Sequence, residues 1–257
     1  MQKSLIGILL LLTYFGQANA AVYQEEVKYY DIEILIFENL KQNPRNTETW
    51  PTSVDFILPE NALFIGSPYP GPIPENYNPR FTFKPIKAST YQLQDEAKAL
   101  TEHEDYRILY HRSWRQPGMK RENAVSVRIE KEIPRLEYTN NPELQIETAQ
   151  FEFNQIINQR MPKLNVLKGS VKISLSRYLH IQTDLNYTRH IIVTNTENNE
   201  QIQLSEIDPS FVEIQPQVYQ LRQTRKMRSK ELHYLDNPRL GLLVYITPVK
   251  FTPSGSQ

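Results

Sequence analysis

From Val171 to Tyr187 apolar side chains fall on odd positions and polar ones on even positions. Val171, Ile173, Leu175, Leu179, Ile181, Leu185 and Tyr187 share one side. Lys172, Ser174, Ser176, Tyr178, His180, Gln182, Asp184 and Asn186 share the other. Side chains alternate across a strand, whereas a helix groups residues three and four apart, so this period of two reads as β structure with one buried face. A single straight strand of that length is unusual. Arg177, the odd position whose charge interrupts the pattern, marks an expected bend.

Similar patterning recurs along the chain. Residues 29–37 begin with alternation and end as a continuous apolar run, which suits a strand that starts near an edge and enters a core. Tyr106 to Trp114 reads as a strand stopped by Gln116-Pro117-Gly118. Val125, Val127 and Ile129 alternate with Ser126, Arg128 and Glu130, predicting its hairpin partner. Arg189–Thr194 and Gln201–Leu204 flank the turn-like run 195–199, a further hairpin reading, and Val218–Met227 and Leu240–Thr247 close the chain as strands. Ser89 to Leu100 is the clearest helix. Ser89 and Gln92 have capping-box spacing, and Leu93, Ala97 and Leu100 line one face. A second helix around 145–160 is less well patterned.

Residues 44–85 hold nine of the eighteen prolines. Proline removes backbone donors and pushes its predecessor toward extended conformations, so an extended loop is expected here. Interspersed Trp50, Phe56, Leu58, Leu63, Phe64, Ile65, Tyr69, Phe81 and Phe83 would pack it on the body. The fold class is therefore α+β, mostly antiparallel β-sheet with one or two helices and a long proline-rich loop.

The N-terminus has the organisation of a secretory signal: Lys3, an apolar run from Leu5 to Leu12, and a small-x-small site at Ala18-Asn19-Ala20. The apolar run is short against the roughly 20 residues that span a bilayer. Residues 1–20 read as a signal peptide and 21–257 as the exported domain, with a candidate subdomain break near 135–165. No later segment is apolar enough to be an integral membrane span. The chain has no cysteine, so an exported form relies on its core and not on disulfides.

Net charge is zero, but its distribution is uneven. Residues 221–250 carry seven Lys or Arg against two acids, while the rest of the mature chain is acidic on balance. A basic face on a near-neutral protein suits an anionic partner. Nothing points to nucleic acid, a cofactor or a metal. The Ser-x-x-Lys, Gly-x-Ser-x-Gly and His-Glu-x-x-His motifs are absent, and cysteine nucleophiles are impossible. His180 with Asp184 and His233 with Asp236 are local His–carboxylate pairs that read as surface hydrogen bonds. Carboxylates are numerous enough to leave a glycosidase-like pair open.

Polymers containing sugars are commonly gripped by aromatic faces with Arg and Asp hydrogen bonding. Three blocks supply that mixture: Trp114-Arg115, Arg177-Tyr178-x-His180, and Arg225…Arg228…His233-Tyr234-x-Asp236. In the last, a cationic run, a short polar knot and the apolar strand Leu240-Gly241-Leu242-Leu243-Val244-Tyr245-Ile246 follow within a few residues. A site with Arg228, His233, Tyr234 and Asp236 around a turn is expected from it.

The longer blocks that contain them, Tyr106–Pro117, Ser176–His180 and Arg225–Pro238 followed by Leu240–Pro248, in this order resemble the CsiV family of periplasmic peptidoglycan-binding proteins. Lys226 and Asn237 stand where the family's final block usually carries Arg and His. The resemblance implies a non-catalytic periplasmic accessory protein. It would bind peptidoglycan and support synthesis by a class A penicillin-binding protein with its outer-membrane lipoprotein activator. The residues themselves also leave open a carbohydrate-active cell-wall hydrolase with an unmotified carboxylate pair, and a pure protein–protein adaptor.

Overall fold

The computed structural model describes residues 27–41, 48–136, 148–194 and 212–250. The signal segment, the 195–199 turn and Gln201–Leu204 lie outside the described residues. Strand β1 (Tyr29–Asn39) is hydrogen-bonded along both edges, to β3 (Tyr106–Pro117) and to β9 (Leu240–Pro248), both antiparallel. With β2 (Lys84–Pro85) beyond β3 and β8 (Leu232–Asp236) beyond β9, this makes a five-stranded sheet ordered β2-β3-β1-β9-β8. The expected start near an edge is thus corrected: β1 is central from its first residues. Its apolar run is continuous because both faces are covered. Ile32, Ile34 and Ile36 join the main core, while Leu35 and Phe37 take Leu93, the N-cap of helix α1 (Gln94–Glu102), and the apolar residues around it.

The second sheet, ordered β4-β5-β6-β7, comprises β4 (Ser126–Pro134), β5 (Leu164–Leu175), β6 (Leu179–Thr194) and β7 (Val212–Met227). The two sheets share one core that includes Ile34, Trp114, Val127, Val171, Ile181, Leu185 and Val244. Helix, sheet and sheet therefore form three layers. A second helix, α2 (Thr148–Arg160), packs Phe153 and Ile157 against Val212, Ile192 and Ile214.

The long alternating segment is two strands. The chain reverses at 176–178, and Leu175 pairs with Leu179, Ile173 with Ile181 and Leu167 with Tyr187. Three turn residues place odd positions opposite odd positions, so the apolar face survives the reversal and reads in sequence like one uninterrupted strand. The expected bend at Arg177 is a full hairpin turn. The expected β3–β4 hairpin is also corrected: β4 leaves for the second sheet and pairs with β5. Half-buried alternation says that a strand has one covered face, not which strand lies beside it.

Residues 48–83 of the proline-rich segment hold no strand beyond an isolated parallel bridge from Leu63 to Val127. Leu63 and Phe83 are buried, Trp50, Ile65 and Tyr69 pack against the core, and Phe64 stays exposed.

Helix α1 forms where its apolar face required, with Leu93, Ala97 and Leu100 on the sheet. Its cap differs from the capping box expected at Ser89, which lies in a 3-10 turn over Ala88–Thr90. The N-cap residue, Leu93, has no side-chain cap of its own. The carboxylate of Glu33 on β1 accepts the Gln92 N–H at 2.6 Å and the Leu93 N–H at 3.0 Å, and it meets His111 Nε2 at 2.8 Å. A buried carboxylate needs donors, and a helix N-terminus offers unpaired N–H groups with a partial positive charge. Replacing Glu33 with Ala leaves both amides and His111 without this partner. Denaturant unfolding should show a loss of about 2 kcal/mol, whereas Ser89→Ala should be nearly neutral. The reverse ranking would restore the capping-box reading.

Candidate functional site

The C-terminal block crosses from one sheet to the other. β7 ends at Met227, residues 228–231 form the crossover, and β8 and β9 run in the first sheet. Lys230 takes a positive φ of 62° there, and its N–H bonds the Ile246 carbonyl at 2.8 Å. The Nε2 atom of His233 lies 3.2 Å from the Arg228 nitrogen and 3.1 Å from its carbonyl oxygen, pinning the crossover by its main chain.

Leu232–Asp236 is a strand and not a polar turn, so His233 and Tyr234 project from opposite faces. Tyr234 lies on the α1 side of the sheet and stacks on Phe37, with ring centres 6.2 Å apart and planes 7° apart. Its hydroxyl bonds Asp236, and burial first, then Asp236, pushes its pKa up to about 12. Gly241 sits opposite Phe37, where a Cβ would lie 2.2 Å from the ring. This glycine makes room for the ring on which Tyr234 stacks.

Arg225 donates to the Tyr234 carbonyl, Gln223 to the Asp236 carbonyl at 2.8 Å, and Asn237 to the Gln220 carbonyl at 2.9 Å. These side chains lace the β7 edge of one sheet to the β8 edge of the other. Arg225, Arg228, His233, Tyr234 and Asp236 therefore do not converge on one ligand. Arg228 is exposed and pairs with Glu231 at 3.6 Å.

Trp114 is wholly buried, with its indole N–H on Gln116 at 2.8 Å, and reaches no surface. Arg115 is committed to both oxygens of Asp31 at 2.6 and 2.9 Å and lies over Phe81. Asp184 turns to Arg222 and Gln220 on β7 and not to His180.

Arg177, Tyr178 and His180 occupy the β5–β6 turn and the first residues after it. The Lys226 ammonium sits 3.6 Å from the centre of the Tyr178 ring, and the Arg177 guanidinium is 5.6 Å from it. His180 stands opposite Lys226 in the β6–β7 register. Beside this turn opens a cleft of about 720 Å³, bounded by the start of β1, the loop after β3, the proline-rich segment and the β5–β6 turn. It forms because Gly118 N–H bonds the Lys28 carbonyl and Leu175 N–H bonds the Met119 carbonyl, each at 2.7 Å, drawing the ends of both sheets together.

Lys28, Lys120, Arg121 and Arg177 line the cleft with Tyr30 and Tyr77, against Glu122 as the sole carboxylate. None of the four cations makes an ion pair among the described residues. Sequence reasoning found Arg177 but missed Lys28, Lys120, Arg121 and Tyr77. The Lys120-Arg121 pair just after Gln116-Pro117-Gly118 was the available signal, a cationic pair on a loop at a strand end.

The chain belongs to the CsiV family of peptidoglycan-binding proteins, whose family model matches residues 5–249. No curated protein and no solved structure gives a match.

The stacked, half-exposed position of Tyr234 predicts a structural role. Tyr234→Ala should lower unfolding stability by about 1–2 kcal/mol while leaving sacculus binding intact at temperatures where the protein is folded. Unchanged stability with lost binding would return Tyr234 to the ligand site.

Proposed function

We propose that this chain is a non-catalytic periplasmic protein that binds peptidoglycan through the basic cleft beside the β5–β6 turn. In this reading residues 1–20 are removed on export and 21–257 act in the periplasm. The protein there supports synthesis by a class A penicillin-binding protein with its outer-membrane lipoprotein activator. The observation that carries the cleft assignment is the set of four cations without ion-pair partners around one concavity. Peptidoglycan stem peptides present free carboxylates, and its sugars present apolar faces for Tyr30 and Tyr77. Tyr178, His180 and Lys226 extend the same surface, and Arg228 lies one position beyond the last β6–β7 pair, Leu179 with Met227.

Glycoside hydrolysis requires two carboxyl groups flanking the bond. With Glu122 as its only carboxylate, the cleft favours binding over hydrolysis. A pure adaptor would reach the wall only through a partner and would ignore bare sacculi.

The test is a pull-down of the purified mature protein with protein-free sacculi at low and high salt, with the soluble fraction assayed for muropeptides. Wild type should bind, bind less in high salt because exposed charges are screened over about 8–10 Å, and release nothing. Replacing Lys120, Arg121 and Arg177 together with Ala should weaken binding roughly ten-fold, since exposed ionic contacts contribute about 0.2–1 kcal/mol each. Undiminished binding by this variant would remove the cleft as the site, and absent wild-type binding would favour the adaptor.

A further inference from the structure

The open side of the sandwich formed by β3 and β4 carries cations where the strand pattern calls for apolar residues. On β4 the odd positions Val127, Ile129 and Ile133 are buried, but Lys131 between them is an exposed cation. On β3, Arg107 and Arg112 stand opposite Glu38 and Ile34 of β1, positions that face the second sheet. The short β2 pairs with β3 at Trp114 and Arg115, and among the described residues no other strand pairs with the edge before it. There a groove of about 270 Å³ is lined by Arg107, Lys131 and Arg135, the last bonded to Asn158 and to the Leu136 carbonyl, with Leu109, Ile133 and Leu136 as apolar lining.

None of Arg107, Arg112 and Lys131 makes an ion pair among the described residues. Glu130 is committed to Arg128 and Lys168, Glu38 to Arg189, and Glu132 points to the opposite face of β4 from Lys131. Among the described residues the Arg107 and Arg112 side chains donate to the carbonyls of Pro134 and His111, and Arg112 also lies over the Tyr110 ring. Burial, then Arg112 and Arg107, hold the Lys131 ammonium below the usual lysine range, so the like charges repel without a counter-ion. Inward charges do protect edge strands against pairing, but one per strand suffices for that. Two cations from two strands meeting at one concavity, with Arg112 close enough to act on Lys131, go beyond it.

We propose that this groove binds a phosphorylated anion, its phosphate oxygens between Arg107 and Lys131 with Arg112 beside them, and an apolar neighbouring group against Ile133 and Leu136. Three cations call for more than one negative charge. A tetrahedral phosphate offers oxygens in several directions, whereas a carboxylate satisfies one fork. The phosphate can come from a soluble phosphate ester or from a lipid headgroup, and the exposed Leu136 gives an acyl chain a first contact.

The experiment titrates the mature chain with inorganic pyrophosphate by calorimetry and floats it with phosphatidylglycerol vesicles, phosphatidylcholine serving as control. Saturable binding to either anionic probe, weakened at least ten-fold in the folded variants Arg112→Ala and Lys131→Ala, is the expected result. Flotation identifies a lipid source, and pyrophosphate binding without flotation identifies a soluble one. Sacculus binding by the same variants should be unchanged, which separates this groove from the basic cleft. Binding to neither probe, or binding that both variants retain in full, overturns the proposal. Self-association of the variants without any ligand effect would reduce the three cations to guards of an edge.

Discussion

Strand β1 is covered on both faces yet carries three acids, and the surrounding structure is arranged to satisfy them. Asp31 takes the guanidinium of Arg115 from β3. Glu33 takes the N-terminal amides of α1 and the imidazole of His111. Glu38, almost wholly buried, accepts a hydrogen bond from the Tyr187 hydroxyl and pairs with Arg189, each at 2.9 Å, both from β6 in the other sheet. Burial first, and the adjacent carboxylate next, push the Tyr187 hydroxyl up, so it stays a proton donor, and it also accepts a hydrogen bond from Asn165 on β5. Charge taken out of water is expensive unless paired. Each acid on the central strand thereby specifies one neighbour: the adjacent strand, the covering helix and the facing sheet.

That requirement explains why some features were legible in the sequence and others were not. The hairpin face from Val171 to Tyr187 was readable because a three-residue turn preserves parity. The covered faces of β1 and α1 were readable from their apolar periodicity. Pairing partners were not, since alternation is the same whatever strand lies alongside, as β4 shows. Nor was the cap of α1, which comes from a carboxylate about 60 residues upstream and not from local Ser89. In the candidate site, Arg177 and Tyr178 stood out by their aromatic–cation mixture. Lys28 and Lys120 joined them only because loops from both sheets close at one end. The surroundings of Tyr234 look like a polar turn in sequence, whereas Leu232–Asp236 is an edge strand that sends His233 and Tyr234 to opposite faces.

The two concavities share a physical origin. At one end of the sandwich, main-chain bonds from Gly118 and Leu175 draw the strand ends together around cations that make no ion pair among the described residues. Along the open side, β3 and β4 part company because they belong to different sheets, and inward positions there meet solvent. Glu33 and Glu38 are drawn into structural pairs and lie in neither concavity.

The most direct measurement is a double-mutant cycle between Glu38→Gln and Arg189→Met, read by denaturant unfolding. If the β1 acids hold the layers together, each single change should be clearly destabilising. The pair should then be coupled by about 1–3 kcal/mol, the range for residues sharing one network. Additivity within about 0.5 kcal/mol would contradict the account and leave apolar packing alone to set how the two sheets meet.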